Sequence, residues 1–166
     1  MKITNDSIGP WAKISSGSLY TLLSKLEKTG LIAPARAGKK APRQGEGTHA
    51  FTITEKGRTR FRQLMRDTSS NLGDYQKIFR HKVEFIDLIQ ARERLFLFNH
   101  YVNYCRSSIL HVQTEMDNLA SELGQYPNPA YLRNVLSVMK QKERQCRLEL
   151  DWVRSLLKRE RARVKG

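Results

Sequence analysis

The chain has 166 residues, of which 39% are hydrophobic, so it can form one domain or two small ones with a packed core. No run of 18 apolar residues occurs and the N-terminus lacks a secretory apolar segment, so the sequence predicts a cytoplasmic protein without a membrane-spanning helix. Its formal net charge of +14 indicates a polyanionic partner: DNA, RNA or an anionic membrane surface.

The positive charge is unevenly distributed along the chain. Residues 1–70 contain 13 basic and 5 acidic side chains, whereas residues 71–166 contain 17 and 11. The segment from Lys140 onward has 10 basic and 4 acidic side chains and therefore contains the whole excess of the second half. The first half carries the larger net charge on the shorter length of chain.

Residues 15–32 predict a short helix with two marked ends. Ser15 or Ser16 is suited to cap its N-terminus, and Gly30 follows the last turn, where a residue without a Cβ is favoured. One face is made of leucine: Leu19, Leu22, Leu23 and Leu26. The other face has hydroxyls followed by lysines: Ser18, Thr21, Ser24, Lys25 and Lys28. Such a face suits the major groove of DNA, and an ordinary surface helix is the plainer alternative.

A hairpin with a basic loop is predicted after this helix. Residues 31–33 are a short strand candidate, and residues 34–47 form a loop because they contain two prolines and three glycines. The basic residues of this loop are Arg36, Lys39, Lys40 and Arg43. Residues 48–54 alternate in polarity with period two, as expected for a returning strand.

A second helix is predicted from Glu55 to about Asp67, with Thr54 as its cap and with Phe61, Leu64 and Met65 as its inner stripe. The polar segment of residues 69–73 is the clearest linker. It predicts a domain boundary, with a first domain at residues 1–70 and a helical second domain at residues 74–163.

The second half reads as helices packed side by side. Residues 75–90 are one helix candidate, with Ile78, Phe79, Val83, Phe85, Ile86 and Ile89 as its apolar set. From Leu95 onward apolar residues recur at alternating steps of three and four, and a last helix runs from Ala130 to about Arg161 after a break at residues 124–129. Two such helices form an antiparallel hairpin with one apolar side left exposed. A second subunit is the simplest way to bury that side. The predicted dimerisation residues are Leu95, Phe98, Val102, Ile109, Val112, Met116, Leu119, Leu150, Val153 and Leu157.

The sequence lacks the patterns that catalysis requires. Its four histidines have no metal-ligand spacing, no glycine-rich phosphate loop follows a strand, and no nucleophile elbow occurs. Cys105 and Cys146 lie on apolar seams, where buried thiols act as small hydrophobes. We therefore expect no enzyme activity, no metal and no cofactor.

These elements resemble the winged helix-turn-helix of PadR-like transcriptional regulators. The resemblance is carried by Gly17-x-Leu19-Tyr20, Leu26-Glu27, Gly30-Leu31-Ile32 and Thr54-Glu55-x-Gly57-Arg58. Residues 79–85, residues 93–94 and Tyr101 are similar to the long helical C-terminal domain of the branch typified by the phenolic-acid repressor. The resemblance covers about residues 5–160. It implies a mainly α fold with a small two-stranded wing, followed by an antiparallel helical dimerisation domain.

The resemblance also implies dimeric repressors whose recognition helix is residues 16–29 and whose wing is residues 34–47. The implied DNA-binding residues are Ser16, Ser18, Tyr20, Thr21, Lys25 and Lys28 in the helix, with Lys39, Lys40 and Arg43 in the wing. For Tyr20 the alternative is packing at the edge of the leucine face. For Lys39, Lys40 and Arg43 the alternative to DNA contact is that each is a solvated surface charge.

The chain departs from the family at its start. Only about 15 residues precede the recognition helix, so we expect the family's first helix and most of its second to be missing. The leucine face and Ile53 would then lose their cover, at a cost of roughly 1.5–3 kcal/mol for each large side chain left in water. The corresponding hypothesis is that a longer parent binds DNA well and this form binds it weakly.

The leading hypothesis is a homodimeric repressor on a pseudo-palindromic operator of double-stranded DNA, released by a small-molecule or stress signal. An inducer would bind between the domains, where Trp11, Tyr75, Phe79 and Phe85 are candidate contacts, although core packing is the favoured role for each of them. A second hypothesis is a truncated dimerisation module that forms inactive heterodimers without DNA binding. A third, based on charge alone, is a non-specific binder of RNA or membranes.

Overall fold

The computed structural model describes residues 15–35, 50–121 and 128–165, and the chain divides into two compact units, Met1–Met65 and Arg66–Gly166. The first elements along the chain are α1 (Ser16–Lys28), β1 (Ile32–Pro34), β2 (Phe51–Ile53) and α2 (Glu55–Arg66). Then follow a 3-10 turn (Leu72–Asp74), α3 (Tyr75–Glu84), a second 3-10 turn (Ile86–Leu88), α4 (Ala91–Ser121) and α5 (Pro129–Lys165). The predicted fold class, mainly α with a small two-stranded sheet, is confirmed.

Both ends of α1 are fixed by the residues that the sequence marks. At the N-terminus, the Ser15 hydroxyl oxygen accepts a hydrogen bond from the backbone N–H of Ser18 at 3.1 Å. At the C-terminus, Gly30 has φ of +70°, a left-handed conformation that favours glycine. The backbone N–H groups of Gly30 and Leu31 donate to the carbonyls of Glu27 and Leu26, at 2.8 and 2.9 Å. This pair of bonds is a Schellman motif, which satisfies the last carbonyls of the helix.

The leucine face of α1 is only partly buried. Leu19, Leu23 and Leu26 are half-buried, but Leu22 is 53% exposed. The exposure of Leu22 agrees with the expectation that the leucine face lacks full cover. The Ile53 side chain of the neighbouring sheet is also exposed, at 40%. The two side chains leave apolar surface open on this unit.

The predicted hairpin is present as an antiparallel pair of short strands. Its register pairs Ile32 with Ile53, Ala33 with Thr52 and Pro34 with Phe51. The first strand includes Pro34, which the sequence placed in the loop; a proline is tolerated on a strand whose N–H is not needed. Of the returning strand predicted over residues 48–54, residues 51–53 form β2 and Thr54 caps α2, whereas residues 48 and 49 lie outside the described residues. Most of the predicted basic loop, residues 36–49, lies outside the described residues.

The first turn of α2 holds the end of α1. The Thr54 hydroxyl accepts from the Gly57 N–H at 3.0 Å and lies 2.7 Å from the Gly30 carbonyl oxygen, to which it can donate. The Thr54 N–H donates to the Leu31 carbonyl at 3.1 Å. The Lys56 ammonium donates to the Thr29 carbonyl at 2.8 Å. The carbonyls of the turn that follows α1 are thus bound by Thr54, the cap of α2, and by Lys56 in its first turn.

Gly57 makes the close approach between α2 and this turn possible. It is buried, and a Cβ built at its position would lie 2.0 Å from the Leu31 carbonyl oxygen and 2.8 Å from an Ile53 side-chain carbon. Real Cβ atoms do not approach backbone oxygen so closely, so a larger residue would push α2 away from Leu31.

The inner stripe predicted for α2 is partly wrong. Met65 is buried and Phe61 is half-buried, whereas Leu64 is 48% exposed. The helix itself begins and ends within one residue of the prediction, since its cap is a local feature.

The second unit is built on an antiparallel hairpin of α4 and α5, as predicted. Contacts that come later in α4 are made with earlier residues of α5: Arg94 donates to Glu160 at 2.7 Å, Tyr101 to Glu149 at 2.7 Å and Gln113 to Glu143 at 2.9 Å. The core between the helices includes the fully buried Leu97, Tyr101, Cys105 and Val153. This confirms the side-by-side packing that the apolar spacing indicated.

Helix α3 packs against the hairpin through its buried aromatic side chains. The Phe79 ring stacks on Tyr101 with centroids 3.5 Å apart, and its edge faces Trp152. The Tyr75 hydroxyl is 2.7 Å from His100 Nδ1. The predicted single helix over residues 75–90 is wrong, because α3 ends at Glu84 and a 3-10 turn follows. Phe85, placed in the apolar set of that helix, is half exposed at the break.

Replacement of Gly57 by alanine should destabilise the protein by about 1–3 kcal/mol or more, because the new methyl group overlaps the Leu31 carbonyl. Chemical denaturation of both proteins measures this difference. Gly17→Ala is the matched control, since Gly17 lies in α1 with none of the described atoms within 4 Å of the new Cβ. It should stabilise by about 0.5–1 kcal/mol through helix propensity. Equal effects of the two substitutions would contradict this account of Gly57.

Replacement of Glu160 by alanine should cost about 3–5 kcal/mol of unfolding free energy, because it leaves the largely buried Arg94 guanidinium without its carboxylate. Asp151→Ala is the control, since Asp151 pairs with Arg154 in an exposed ion pair of the same helix. Its cost should be below about 1 kcal/mol. A cost for Glu160→Ala as small as that of the control would show that the buried pair does not stabilise the hairpin.

Candidate nucleic-acid interface

The outward face of α1 is polar and basic. Ser18, Thr21, Ser24, Lys25 and Lys28 are all exposed. The first turn contains no acidic residue, and both lysines lie toward the C-terminal end, where they complement the helix dipole. This face can offer hydrogen bonds at its start and cations at its end.

The hydroxyl groups on this face differ in what they can still donate. The Ser15 hydroxyl donates to Ser18 Oγ at 2.9 Å, so Ser18 keeps its own proton for an outside acceptor. The Thr21 hydroxyl donates to the Gly17 carbonyl at 2.9 Å, so Thr21 offers outward only an oxygen lone pair and a methyl group. Base edges in the major groove present both acceptors and donors, together with the thymine methyl group. Neighbouring turns of α1 therefore present complementary chemistry to bases.

The lysines of this face are available for phosphate. Among the residues that the structure describes, neither Lys25 nor Lys28 has a carboxylate within ion-pair distance. Lys56, by contrast, is engaged by the Thr29 carbonyl. Tyr20 is 57% exposed, so most of its ring is open to solvent.

The structure brings part of the predicted DNA-binding set onto one helix. Ser18, Tyr20, Thr21, Lys25 and Lys28 share α1, whose orientation against the sheet is fixed by the Thr54 and Gly57 contacts. The Ser16 side chain and the wing residues Lys39, Lys40 and Arg43 lie outside what the structure describes.

A shallow groove beside the end of α1 was not anticipated from the sequence. It has a volume of about 470 Å³ and is lined by Thr29, Leu31, Lys56, Thr59, Arg60 and Gln63. The spacing of Lys56 and Arg60 at i and i+4 could have indicated a basic stripe on α2. The hydrogen bond from Lys56 to the Thr29 carbonyl could not have been predicted from the sequence, because it depends on how the two helices meet.

The predicted dimerisation residues form the interior of a single chain. Phe98, Val102, Ile109, Val112, Leu150, Val153 and Leu157 are each at most 7% exposed. Leu95, Met116 and Leu119 are half-buried. The seven buried side chains therefore have little surface that a second subunit could contact. They can influence an interface only by holding α4 and α5 together.

The aromatic residues considered for an inducer have different surroundings. Tyr75 and Phe79 are buried in the core of the second unit, which agrees with the packing alternative. Phe85 is half exposed, and Trp11 lies outside the described residues.

Both cysteines are buried free thiols, as predicted. Burial raises the pKa of Cys105 to about 12 and also raises the pKa of Cys146, so neither is a reactive thiolate near neutral pH. In the parts of the chain that the structure describes, no cluster of three or more His, Cys, Asp or Glu residues could hold a metal ion. Within the same parts, none of the helices has the length and apolar character needed to span a membrane.

Comparison with known proteins assigns the N-terminal part of the chain. None of the curated proteins compared with this chain matches it. Residues 1–63 match the model of the transcriptional regulator PadR-like family, and this region includes α1, both strands and most of α2. The long helices that follow are consistent with the C-terminal helices of such regulators. Residues 1–63 of this protein are therefore a transcriptional regulator domain of the PadR-like family.

Proposed function

We propose that this protein is a dimeric DNA-binding repressor, released from a pseudo-palindromic operator by a small-molecule or stress signal. The observation that carries the proposal is the exposed face of α1, with hydroxyls, a tyrosine and unpaired lysines beside an antiparallel strand pair. A helix with these groups can read base edges near its N-terminus and bind phosphates near its C-terminus. The net charge of +14 on the whole chain favours association with DNA.

In this proposal residues 1–70 bind DNA and residues 74–163 form the dimer. Ser16, Ser18, Tyr20 and Thr21 contact base edges or sugar-phosphate, and Lys25 and Lys28 contact phosphates. The wing residues Lys39, Lys40 and Arg43 contact phosphate or the minor groove. The protein acts in the cytoplasm, with no enzyme activity of its own.

The dimer contact is assigned to the outer surface of the helical hairpin. Large apolar residues more than half exposed on α4 and α5 are Phe96, Leu110, Tyr131, Val138, Leu148 and Val164. Exposed apolar side chains at this density favour contact with another protein surface. The half-buried Leu95, Met116 and Leu119 add to the surface that a second subunit can cover.

Selection of the full chain against a random pool of DNA duplexes tests the proposed function. We expect enriched sequences to contain an inverted repeat, with half-site centres about one helical turn, 34–36 Å, apart. Two-fold symmetry in the DNA would reflect two-fold symmetry in the protein. Enrichment of single sites without symmetry would contradict the dimeric form, and no enrichment over scrambled DNA would contradict sequence-specific binding.

Replacement of Lys25 and Lys28 by alanine should weaken binding to the selected duplex and reduce its salt dependence. Each lost phosphate contact lowers the slope of log affinity against log salt by about one. Fluorescence anisotropy over a salt series measures this slope. Lys140→Ala is the control, because Lys140 is exposed on α5 and has no ion pair with the described residues. Equal losses in both variants would mean that only the overall charge matters.

A further inference from the structure

The second unit contains a basic groove between the start of α4 and the end of α5. The groove has a volume of about 540 Å³ and is lined by Arg106, Arg154, Lys158, Arg161 and Lys165. The buried side chains of Val102 and Leu157 form its apolar floor. No carboxylate lines it among the residues that the structure describes, so five cations and no acidic side chain line the groove.

The charges of this basic groove are poorly compensated by the rest of the unit. Arg106, Lys158 and Lys165 have no ion-pair partner among the described residues. Arg161 donates a long hydrogen bond of 3.4 Å to the Asn99 side-chain oxygen. Arg154 pairs with Asp151 at 3.5 Å, but both are exposed and such a pair contributes little.

The nearest buried acid does not neutralise the groove. Glu160 is 3% exposed and its carboxylate accepts from Arg94 at 2.7 Å, with Arg163 at 3.6 Å from the other oxygen. Its charge is therefore already matched by two guanidinium groups. Like charges crowded along one groove repel each other, and an anion between them relieves that repulsion.

The spacing of the cations favours an anion with several charges. Arg154, Lys158, Arg161 and Lys165 follow one face of α5 at steps of four, three and four residues. At 1.5 Å per residue this row is about 16 Å long. Arg106 stands on the facing helix, so cations line both sides. A single carboxylate would engage one or two of these groups, whereas linked phosphates can engage most of them through charge-assisted hydrogen bonds.

We propose that the basic groove binds a phosphate-bearing anion with several negative charges. The Asn99 and Asn103 side chains at its edge supply amide hydrogen bonds, and the apolar floor accommodates an uncharged organic part of the ligand. The site uses residues of the helical unit alone, and none of them belongs to α1. It gives a role to the positive charge concentrated after Lys140, which the DNA-binding proposal does not use.

Calorimetric titration of the full chain with inorganic tripolyphosphate tests the site. The groove variant Arg106→Gln/Arg161→Gln should bind it about tenfold more weakly or worse, since each arginine lost removes charge-assisted hydrogen bonds. The matched control is Arg144→Gln/Arg159→Gln, two exposed arginines of α5 that do not line the groove. The control removes the same charge and should change the affinity less than twofold.

The outcomes separate a site from general attraction. Equal weakening in both double variants, or no binding to the wild-type chain at physiological salt, would overturn the proposal. Thermal unfolding checks that both variants fold. If the groove variant does not, the single variants Lys158→Gln and Lys140→Gln replace the two pairs, with the same expected contrast.

A competition experiment identifies the source of the phosphates. A duplex of unrelated sequence that binds the wild-type chain and leaves bound tripolyphosphate in place would show that the groove takes a free phosphate compound. Displacement of tripolyphosphate by this duplex, with DNA affinity lowered by the groove variant and not by Lys25→Ala/Lys28→Ala, would assign the groove to the DNA backbone. Absence of sequence-specific DNA binding by the wild-type chain, with intact tripolyphosphate binding, would contradict the proposed function and leave this site standing.

Discussion

The close contact between Gly57 and the Leu31 backbone is the constraint on which the N-terminal unit depends. A side chain at position 57 has no room, so the first turn of α2 lies directly against the turn that ends α1. Thr54 can then bond to both sides of this junction, and Lys56 reaches the last carbonyls of α1. These contacts set the direction in which α1 presents its polar face, because α1 otherwise meets the sheet through only a short connection.

The chemistry of the α1 face follows from how its own hydroxyls are used. The bond from Thr21 back to Gly17 leaves that side chain as an acceptor, while the cap at Ser15 leaves Ser18 free to donate. The face therefore presents more than one hydrogen-bonding pattern without any charged group at its start. Lysines follow one turn later, at the end where the helix dipole favours them.

The helical unit shows how a charged protein keeps a well-packed interior. Phe79 stacks on Tyr101 in the core of the hairpin. The largely buried side chains of Arg94 and Glu160 neutralise each other in an ion pair. The apolar side chains of α3, α4 and α5 are buried against one another within a single chain. The cations that are not paired in this core lie on the surface of the unit. Where they crowd between α4 and α5, the surface becomes suited to anions rather than to another apolar surface.

The sequence by itself determined the features that are local. Helix caps, the glycine at the end of α1, the period-two strand and the alternating seam of α4 and α5 depend on neighbours within a few residues, so stereochemistry and periodicity specify them. The tertiary structure alone decided the exposure of Leu64, the end of α3 at Glu84 and the gathering of cations in the basic groove. Each of these depends on which distant segments meet, and no pattern along the chain records the packing that brings them together.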